Sequence, residues 1–273
     1  MTTPHPPNAK AIWIASIPRS GSMWAFNITR DLVKSAGCRA LPERIPQSDK
    51  DMLREFNDRL NDPDPLNITV IKIHNRLAKL PPASRIITTH RDLRDAMVSF
   101  QRFMKCDFDT VLKGAIANAK TCDHYRNISE NLTMHVKYEN IRDNPTSVIQ
   151  DVGKFLGLTP TSTIVNNIRH RFSKENVGKR INDMEDGIKA RLAKGEAINR
   201  NEIVPLSQGK ARVFDVSSGF QSGHISDYKD GDWRKIFTNK KKLAFRRNWV
   251  TGSHKMDTHQ NKHECDVLTG RKR

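Results

Sequence analysis

Short apolar segments rich in β-branched residues alternate with segments of helical spacing along most of this chain. The first covers residues 10–19, Lys-Ala-Ile-Trp-Ile-Ala-Ser-Ile-Pro-Arg, and predicts a buried strand. A Ser-Gly turn follows, and helical spacing then runs from Ser22 to Ala36. Further strands are predicted at 69–74, 85–90 and 135–138, and further helices at 47–61, 95–104, 107–127 and 145–156. Strands that alternate with helices indicate an α/β fold with a mostly parallel β-sheet flanked by helices.

The composition is that of a globular protein with a core. Of the 273 residues, 36% are hydrophobic and 28% are charged, which favours a folded chain over a disordered one. No apolar run approaches the roughly 18 residues of a membrane span, and the N-terminus lacks the features of a signal peptide, so we expect a cytoplasmic protein. We expect residues 1–9 to be flexible, residues 173–212 to form helix and mobile loop, and residues 251–273 to form a disordered basic tail.

The formal net charge of +17 indicates an anionic partner. Nucleic acid, an anionic membrane, an acidic glycan and a polyanionic nucleotide all fit that description. Only 7% of the residues are aromatic and no helix-turn-helix signature is present, which argues against nucleic acid. The four cysteines have no C-x-x-C spacing and indicate neither a metal site nor a disulfide framework.

The turn between the first strand and the first helix has the features of an anion site. The free N–H groups at a helix N-terminus and the helix dipole both favour an anion there. In the segment 16–24, Gly21 permits close approach of a ligand to the backbone, Ser20 and Ser22 add hydroxyl groups, and Arg19 adds a positive charge. The turn lacks the G-x-x-x-x-G-K-[ST] spacing of a nucleoside triphosphatase. Taken alone, it fits a plain polar strand–helix connection equally well.

Two further pairs of residues can face the crevice at the strand ends, where ligands bind in open α/β sheets. Lys72 and His74 share one face of the second strand, and an imidazole is suited to take a hydroxyl proton near neutral pH. Arg91 follows the third strand and Ser99 lies in the next helix, so a guanidinium and a hydroxyl could both reach a phosphate monoester.

Together and in this order, these segments resemble the sulfotransferases that use 3′-phosphoadenosine-5′-phosphosulfate (PAPS), in particular the soluble type acting on small molecules. Segment 16–24 resembles the family's Tyr-Pro-Lys-Ser-Gly-Thr-Thr-Trp-like loop. Lys72-Ile73-His74, followed by Leu80-Pro81, resembles its Lys-Thr-His segment. The remaining blocks that resemble the family are Arg91–Asp95–Ser99–Phe100, Tyr138-Glu139-Asn140-Ile141, 155–158 and 231–238. The resemblance covers residues 10–250 and implies one domain with a P-loop-like nucleotide-binding fold.

The resemblance implies that the donor is PAPS and the product 3′,5′-adenosine bisphosphate (PAP). It assigns the catalytic roles to His74, Lys72 and Arg19. It assigns nucleotide binding to Pro18, Arg19, Ser20, Gly21, Ser22, Met23, Trp24, Arg91, Ser99, Tyr138 and Phe172. The acceptor is expected to be a hydroxyl or amine of a small molecule or carbohydrate, and many relatives are homodimers. No metal is expected, because the candidate strand ends lack the Asp of a Walker-type Mg²⁺ site.

Two positions depart from the family pattern. Arg19 stands where most members have lysine, and carbohydrate sulfotransferases also have arginine there. The arginine supplies a planar fork instead of a point charge. Ser226-Asp227-Tyr228 stands where the family has the Arg-Lys-Gly that clasps the 3′-phosphate. Lys229, His224 or a basic residue of 173–180 is expected to compensate.

Three other interpretations remain open from the sequence. The first is an NTP-dependent kinase, which the missing Walker lysine and strand-end Asp disfavour. The second is a basic nucleic-acid-binding protein, suggested by the net charge. The third, a Golgi carbohydrate sulfotransferase, is suggested by four N-glycosylation sequons, although no signal or anchor segment accompanies them. The sequons lie at Asn27, Asn67, Asn127 and Asn131.

Overall fold

The computed structural model describes residues 6–59, 61–76, 83–206, 211–225 and 229–251, with the side chains of 246–251 left out. The predicted Leu80-Pro81 match, the replaced clasp at Ser226-Asp227-Tyr228 and nearly all of the predicted tail at 251–273 lie outside the described residues. In this structure the chain forms one α/β unit built around a five-stranded sheet.

All five strands of the main sheet are parallel, as the alternation of strands and helices predicts. The strands are β1 (Ala11–Ala15), β2 (Arg39–Leu41), β3 (Asn67–Ile73), β4 (Ser84–His90) and β5 (Thr133–Lys137). Their order across the sheet is β2-β3-β1-β4-β5. The chain passes from β1 to the edge strand β2, returns to β3 beside β1, and then crosses to β4 on the other side of β1, so the strand order reverses next to β1. The carboxyl end of β1 therefore lies at the point where open α/β sheets form a ligand crevice.

Helices cover both faces of a parallel sheet in such folds, and they explain why β1 has no polar residue. Every residue of β1 is buried. The helices are α1 (Ser22–Ser35), α2 (Asp49–Asp58), α3 (Leu93–Met104), α4 (Phe108–Arg126), α5 (Tyr138–Asp143), α6 (Pro145–Phe155), α7 (Ser162–Arg171), α8 (Lys174–Ala193), α9 (Trp233–Ile236) and α10 (Asn239–Thr251). A small antiparallel pair, β6 (Ile203–Pro205) and β7 (Ala211–Val213), follows α8.

The hydrophobic core has two main parts. The larger one joins the sheet to α1, α6 and α7, and its largest fully buried side chain is Trp13, whose ring lies 4.6 Å from that of Phe56. The smaller one joins α3 and α4 to the segment after residue 230 through Trp233 and Phe237. Residues 233–237 are thereby packed beside α3, which carries part of the candidate site.

Several elements differ from the sequence prediction. The first strand ends at Ala15 rather than Arg19, since Pro18 lacks an N–H for the ladder and Arg19 has a φ of +66°. The fourth predicted strand ends at Lys137, and Tyr138 opens α5. Segment 173–212 contains the 20-residue α8, whose buried residues are few and form a narrow stripe: Val177, Ile181 and Ile188.

The N-terminal residues that the structure describes are also packed more closely than predicted. Residues 1–9 are expected to be flexible, yet Pro7 and Ala9 are buried. The backbone N–H of Asn8 donates to the carbonyl oxygen of Leu156 at 2.9 Å. These contacts fix residues 7–9 against the end of α6.

Candidate functional site

The loop after β1 is held against β4 by two serine hydroxyls. The backbone N–H of Thr89 donates to the hydroxyl oxygen of Ser16 at 2.8 Å. The hydroxyl of Ser20 donates to the carbonyl oxygen of Ile17 at 2.7 Å and lies 2.6 Å from that of Thr89. Ser20 is fully buried, so its hydroxyl shapes the loop. Sequence reasoning instead expected this hydroxyl to be available to a ligand.

Gly21 closes the loop and caps α1. Its φ of +94° strains any residue that carries a Cβ. A Cβ built there would lie 2.8 Å from Cδ1 of Ile141 and 3.3 Å from Cδ2 of Tyr138. No side chain caps the helix, and its first bond within the turn runs from the N–H of Ala25 to the carbonyl oxygen of Gly21. The N–H groups of the first turn thus lie without helical partners where an anion can bind.

Lys72 and His74 form a hydrogen-bonded pair at the end of β3. His74 Nδ1 lies 2.7 Å from the carbonyl oxygen of Ser16, which can only accept a hydrogen bond, so this nitrogen carries the proton. His74 Nε2 is then the acceptor, and Lys72 Nζ donates to it at 3.2 Å. Asp49 fixes the backbone, because its carboxylate accepts from the His74 N–H at 2.7 Å.

Burial and nearby positive charge weaken the basicity of this pair. Burial, followed by the charge of Lys72, lowers the pKa of His74 to about 4. Burial also lowers the pKa of the Lys72 ammonium. His74 is therefore neutral at physiological pH and offers the lone pair of Nε2 as a proton acceptor.

Arg19 extends from the loop into the interior of the site. Its Nε donates to the hydroxyl of Ser99 at 2.9 Å, and its Nη2 donates to the carbonyl oxygen of His224 at 3.0 Å. Its guanidinium lies 4.7 Å from the centre of the Phe103 ring. Burial, followed by the charges of Arg91 and Arg212, lowers the pKa of Arg19 to about 10, which leaves it charged at neutral pH.

The Arg91–Asp95–Ser99 pattern arranges three residues with separate tasks. The guanidinium of Arg91 lies 4.1 Å from the centre of the Tyr138 ring, and its Nη2 donates to Asp230 Oδ1 at 2.6 Å. The carboxylate of Asp95 accepts from the backbone N–H of Gly231 at 2.8 Å and from that of Trp233 at 3.4 Å. Burial raises the pKa of this carboxyl. Asp95 thus positions the loop of residues 229–233.

These groups surround one cleft of about 940 Å³ at the carboxyl ends of β1 and β3. Every residue that the resemblance assigns to catalysis or nucleotide binding lines it, apart from Ser20: Pro18, Arg19, Gly21, Ser22, Met23, Trp24, Lys72, His74, Arg91, Ser99, Tyr138 and Phe172. Among the described residues, no carboxylate forms an ion pair with Arg19 or Lys72. The interior of the cleft therefore carries partly buried positive charge that an anionic ligand would neutralise.

Several lining residues were not found from the sequence as parts of the site. Phe103 lies four residues after Ser99 on the same face of α3, a spacing that could have indicated it. Phe220, Phe214 and Arg142 also line the cleft, and no local pattern marks them. The backbone N–H of Gln221 donates to Nδ1 of His224, so this second buried imidazole carries its proton on Nε2.

Three further observations bear on the other interpretations. Among the described helices, none combines the length and apolar character that a membrane crossing requires. Within the same residues no group of His, Cys, Asp or Glu could hold a metal, and the absence of metal from the reaction stays a prediction. Asn27 is buried, and its amide donates to the carbonyl oxygens of Met23 and Ser218, so this sequon is closed to a glycan.

A cationic cleft at the switch point of a parallel sheet defines an α/β protein with a site suited to an anionic ligand. The chain belongs to the sulfotransferase family, whose sulfotransferase domain matches residues 9–203. The family and the fold predicted from the sequence are thereby confirmed. Membership of this family favours a sulfotransferase over the kinase and the nucleic-acid-binding protein.

Solved structures share the fold at low sequence identity. A mouse sulfotransferase, SULT7A1, complexed with PAP is 16% identical, with a TM-score of 0.61 over 95% of this chain and 89% of that chain. Retinol dehydratase complexed with androsterone and the inactive cofactor PAP is 15% identical, with a TM-score of 0.57 over 91% of this chain and 82% of that chain. The same enzyme with retinol and PAP is 17% identical, with a TM-score of 0.54 over 93% and 83%. No curated protein sequence matches the chain.

Proposed function

We propose that this protein transfers the sulfuryl group of PAPS to a hydroxyl or amine of an acceptor. The observation that carries the proposal is the pair of partly buried cations Arg19 and Lys72, which lies beside the open N-terminus of α1. A donor with a 5′-phosphosulfate and a 3′-phosphate supplies the negative charge that this cleft lacks. The PAP complexes of the two neighbouring enzymes support the same nucleotide here.

The donor would be held at three points. The backbone N–H groups of residues 20–23 would bind the 5′-phosphate, with Arg19 beside it. Trp24 and Phe172 would hold the adenine, and Arg91, Ser99 and Tyr138 would hold the 3′-phosphate. Since Ser99 now accepts from Arg19 Nε, one hydroxyl would connect the two phosphate sites. The catalytic domain would extend from residue 10 to about residue 250, because residues 214–225 supply part of the cleft and Gly231 is bound to Asp95.

His74 would act as the general base. Its Nε2 would take the proton of the acceptor hydroxyl as the oxygen attacks sulfur in line with the departing phosphate oxygen. Lys72 now donates to this nitrogen, so the ammonium must turn toward the donor before the base is free. There, with Arg19, it would stabilise the charge that develops on the leaving oxygen.

The shape of the remaining cleft favours a small acceptor with an apolar body. Its apolar lining includes Ile45, Met52 of α2 and Phe103 of α3, together with Phe220 from the segment after β7. Such a surface suits a ring or an alkyl chain better than an extended acidic glycan. Androsterone and retinol in the neighbouring enzyme agree with this size and polarity. We therefore favour a small-molecule alcohol or phenol over a carbohydrate as the acceptor. Neither a cytoplasmic location nor a homodimer is needed for this chemistry, and both stay predictions.

The test is transfer of ³⁵S from labelled PAPS to a panel of phenols, alcohols, amines and sugars. The wild type is expected to label at least one acceptor, and His74→Ala is expected to lose about 10²- to 10⁴-fold in kcat. His124→Ala, at the end of α4 and away from the cleft, serves as the control and keeps its activity. Full activity of His74→Ala refutes the base assignment. A wild type that neither labels any acceptor nor binds PAP refutes the whole proposal.

A further inference from the structure

One carboxylate lies between two guanidinium groups at the edge of the cleft. Asp230 Oδ1 accepts from Arg91 Nη2 at 2.6 Å, and Asp230 Oδ2 accepts from Arg142 Nη1. The two arginines come from different parts of the sheet edge, Arg91 after β4 and Arg142 within α5. Both of them line the cleft.

The loop of residues 229–233 holds the Asp230 carboxylate against the two arginines. Asp95 holds the N–H of Gly231, the neighbour of Asp230, so the position of the loop depends on α3 as well as on the ion pairs. The Arg91 side chain is only 5% exposed, and its Nε is buried without a hydrogen-bond partner among the described residues. A fully satisfied ion pair would leave no such donor, so the site has capacity for another acceptor oxygen.

Arg142 is placed to act on the same ligand as Arg91. It lies four residues after Tyr138 on α5, and therefore on the same helical face as the ring that packs under Arg91. Its other nitrogens, Nε and Nη2, donate to Asp143, each at 2.6 Å, which orients the fork. Two guanidinium groups that converge on two oxygens of one anion suit a phosphate monoester at least as well as a carboxylate.

We propose that Arg142 is a second guanidinium ligand of the 3′-phosphate and that Asp230 is an internal anion that takes this place when no nucleotide is bound. This inference rests on the proposed PAPS-dependent function. Nucleotide binding is then an exchange of anions: the phosphate displaces the carboxylate from both arginines. A nucleotide without a 3′-phosphate cannot make the exchange, so Asp230 makes binding selective for the 3′-phosphate.

This assignment changes how the replaced Arg-Lys-Gly segment is compensated. Sequence reasoning expected Lys229, His224 or a residue of 173–180 to supply the missing charge. The imidazole of His224 is a neutral group, because burial and then the charge of Arg19 lower its pKa well below its usual value. Arg142 instead carries a permanent charge in contact with the same carboxylate as Arg91.

Calorimetric titration with PAP and with adenosine 5′-phosphate tests the inference, because the two ligands differ only in the 3′-phosphate. Arg142→Gln is expected to weaken PAP binding by about 10- to 100-fold and to leave adenosine 5′-phosphate within about twofold. Asp230→Asn is expected to tighten PAP binding by roughly 3- to 10-fold, again without effect on the second ligand. Arg142→Lys, which keeps the charge and loses the fork, should fall between the wild type and Arg142→Gln.

Matched controls come from the exposed Lys189–Asp186 pair on α8. Lys189→Gln and Asp186→Asn make the same charge changes away from the cleft and should leave both affinities unchanged. The inference alone is overturned if Arg142→Gln binds PAP as tightly as the wild type, or if Asp230→Asn binds PAP more weakly. It is also overturned if Arg142→Gln loses affinity equally for PAP and for adenosine 5′-phosphate. A wild type that does not bind PAP overturns the proposed function and the inference with it.

Discussion

Replacing Gly21 by alanine tests whether the loop conformation creates the anion site. At a φ of +94°, an L-residue costs about 1–2 kcal/mol relative to glycine. The added Cβ also meets Ile141 Cδ1 at 2.8 Å and Tyr138 Cδ2 at 3.3 Å. The Cδ1 methyl group of Ile141 can rotate away, but the Tyr138 ring packs against Arg91 and has less room to move. Together these effects are expected to cost about 1–3 kcal/mol of the free energy of unfolding.

Gly114→Ala provides the matched control, because this glycine lies inside α4 and a Cβ there meets nothing within 4 Å. It should gain about 0.5–1 kcal/mol from helix propensity. For a chain of this size, Gly21→Ala should lower the thermal midpoint by roughly 2–5 °C. It should also weaken PAP binding about tenfold or more, since Tyr138 and the first turn of α1 shift together. A Gly21→Ala protein with wild-type midpoint and PAP affinity would refute this account of the loop.

Two other predictions concern buried polar groups. PAP binding is expected to raise the pKa of His74 above about 4, because the negative charge of the nucleotide offsets the positive charge of Lys72. An NMR titration of the His74 ring with and without PAP measures this change. An unchanged or lower pKa in the presence of PAP contradicts the prediction. Asn27→Asp removes the amide donor for the carbonyl oxygens of Met23 and Ser218 and is expected to cost about 2–4 kcal/mol in urea unfolding. An unchanged free energy of unfolding would show that those two bonds contribute nothing.

The sheet could be predicted from the sequence because its central strands are buried on both faces. Ala11–Ala15 is apolar throughout for that reason, and β3 carries Ile68, Val70, Ile71 and Ile73; strands of five and seven residues leave little room for a helix. Arg39–Leu41 escaped prediction because three residues carry no period. The β6–β7 pair escaped for the same reason, and it also depends on a contact between separate segments.

The candidate site divides in the same way between local and distant residues. Arg91, Asp95 and Ser99 follow one helical spacing, and Lys72 and His74 share one strand face, so the sequence brings each set together by local geometry. The role of Ser20 could not be read from the sequence, since its partner Thr89 lies on another strand.

The partnership of Arg142 with Asp230 was beyond sequence reasoning as well. The two residues are 88 positions apart, and each alone is an ordinary surface charge. Only the packing of the segment after residue 229 against α3, through Asp95, brings them into contact. Contacts of this kind depend on the tertiary fold and leave no local pattern.

A crystal structure of the protein with PAP tests the central claim most directly. The 5′-phosphate is expected within about 3 Å of the backbone N–H groups of residues 20–23. The 3′-phosphate is expected against Arg91 and Arg142, with Asp230 displaced from both. A nucleotide bound elsewhere, or bound in the cleft in the reverse orientation, would contradict it.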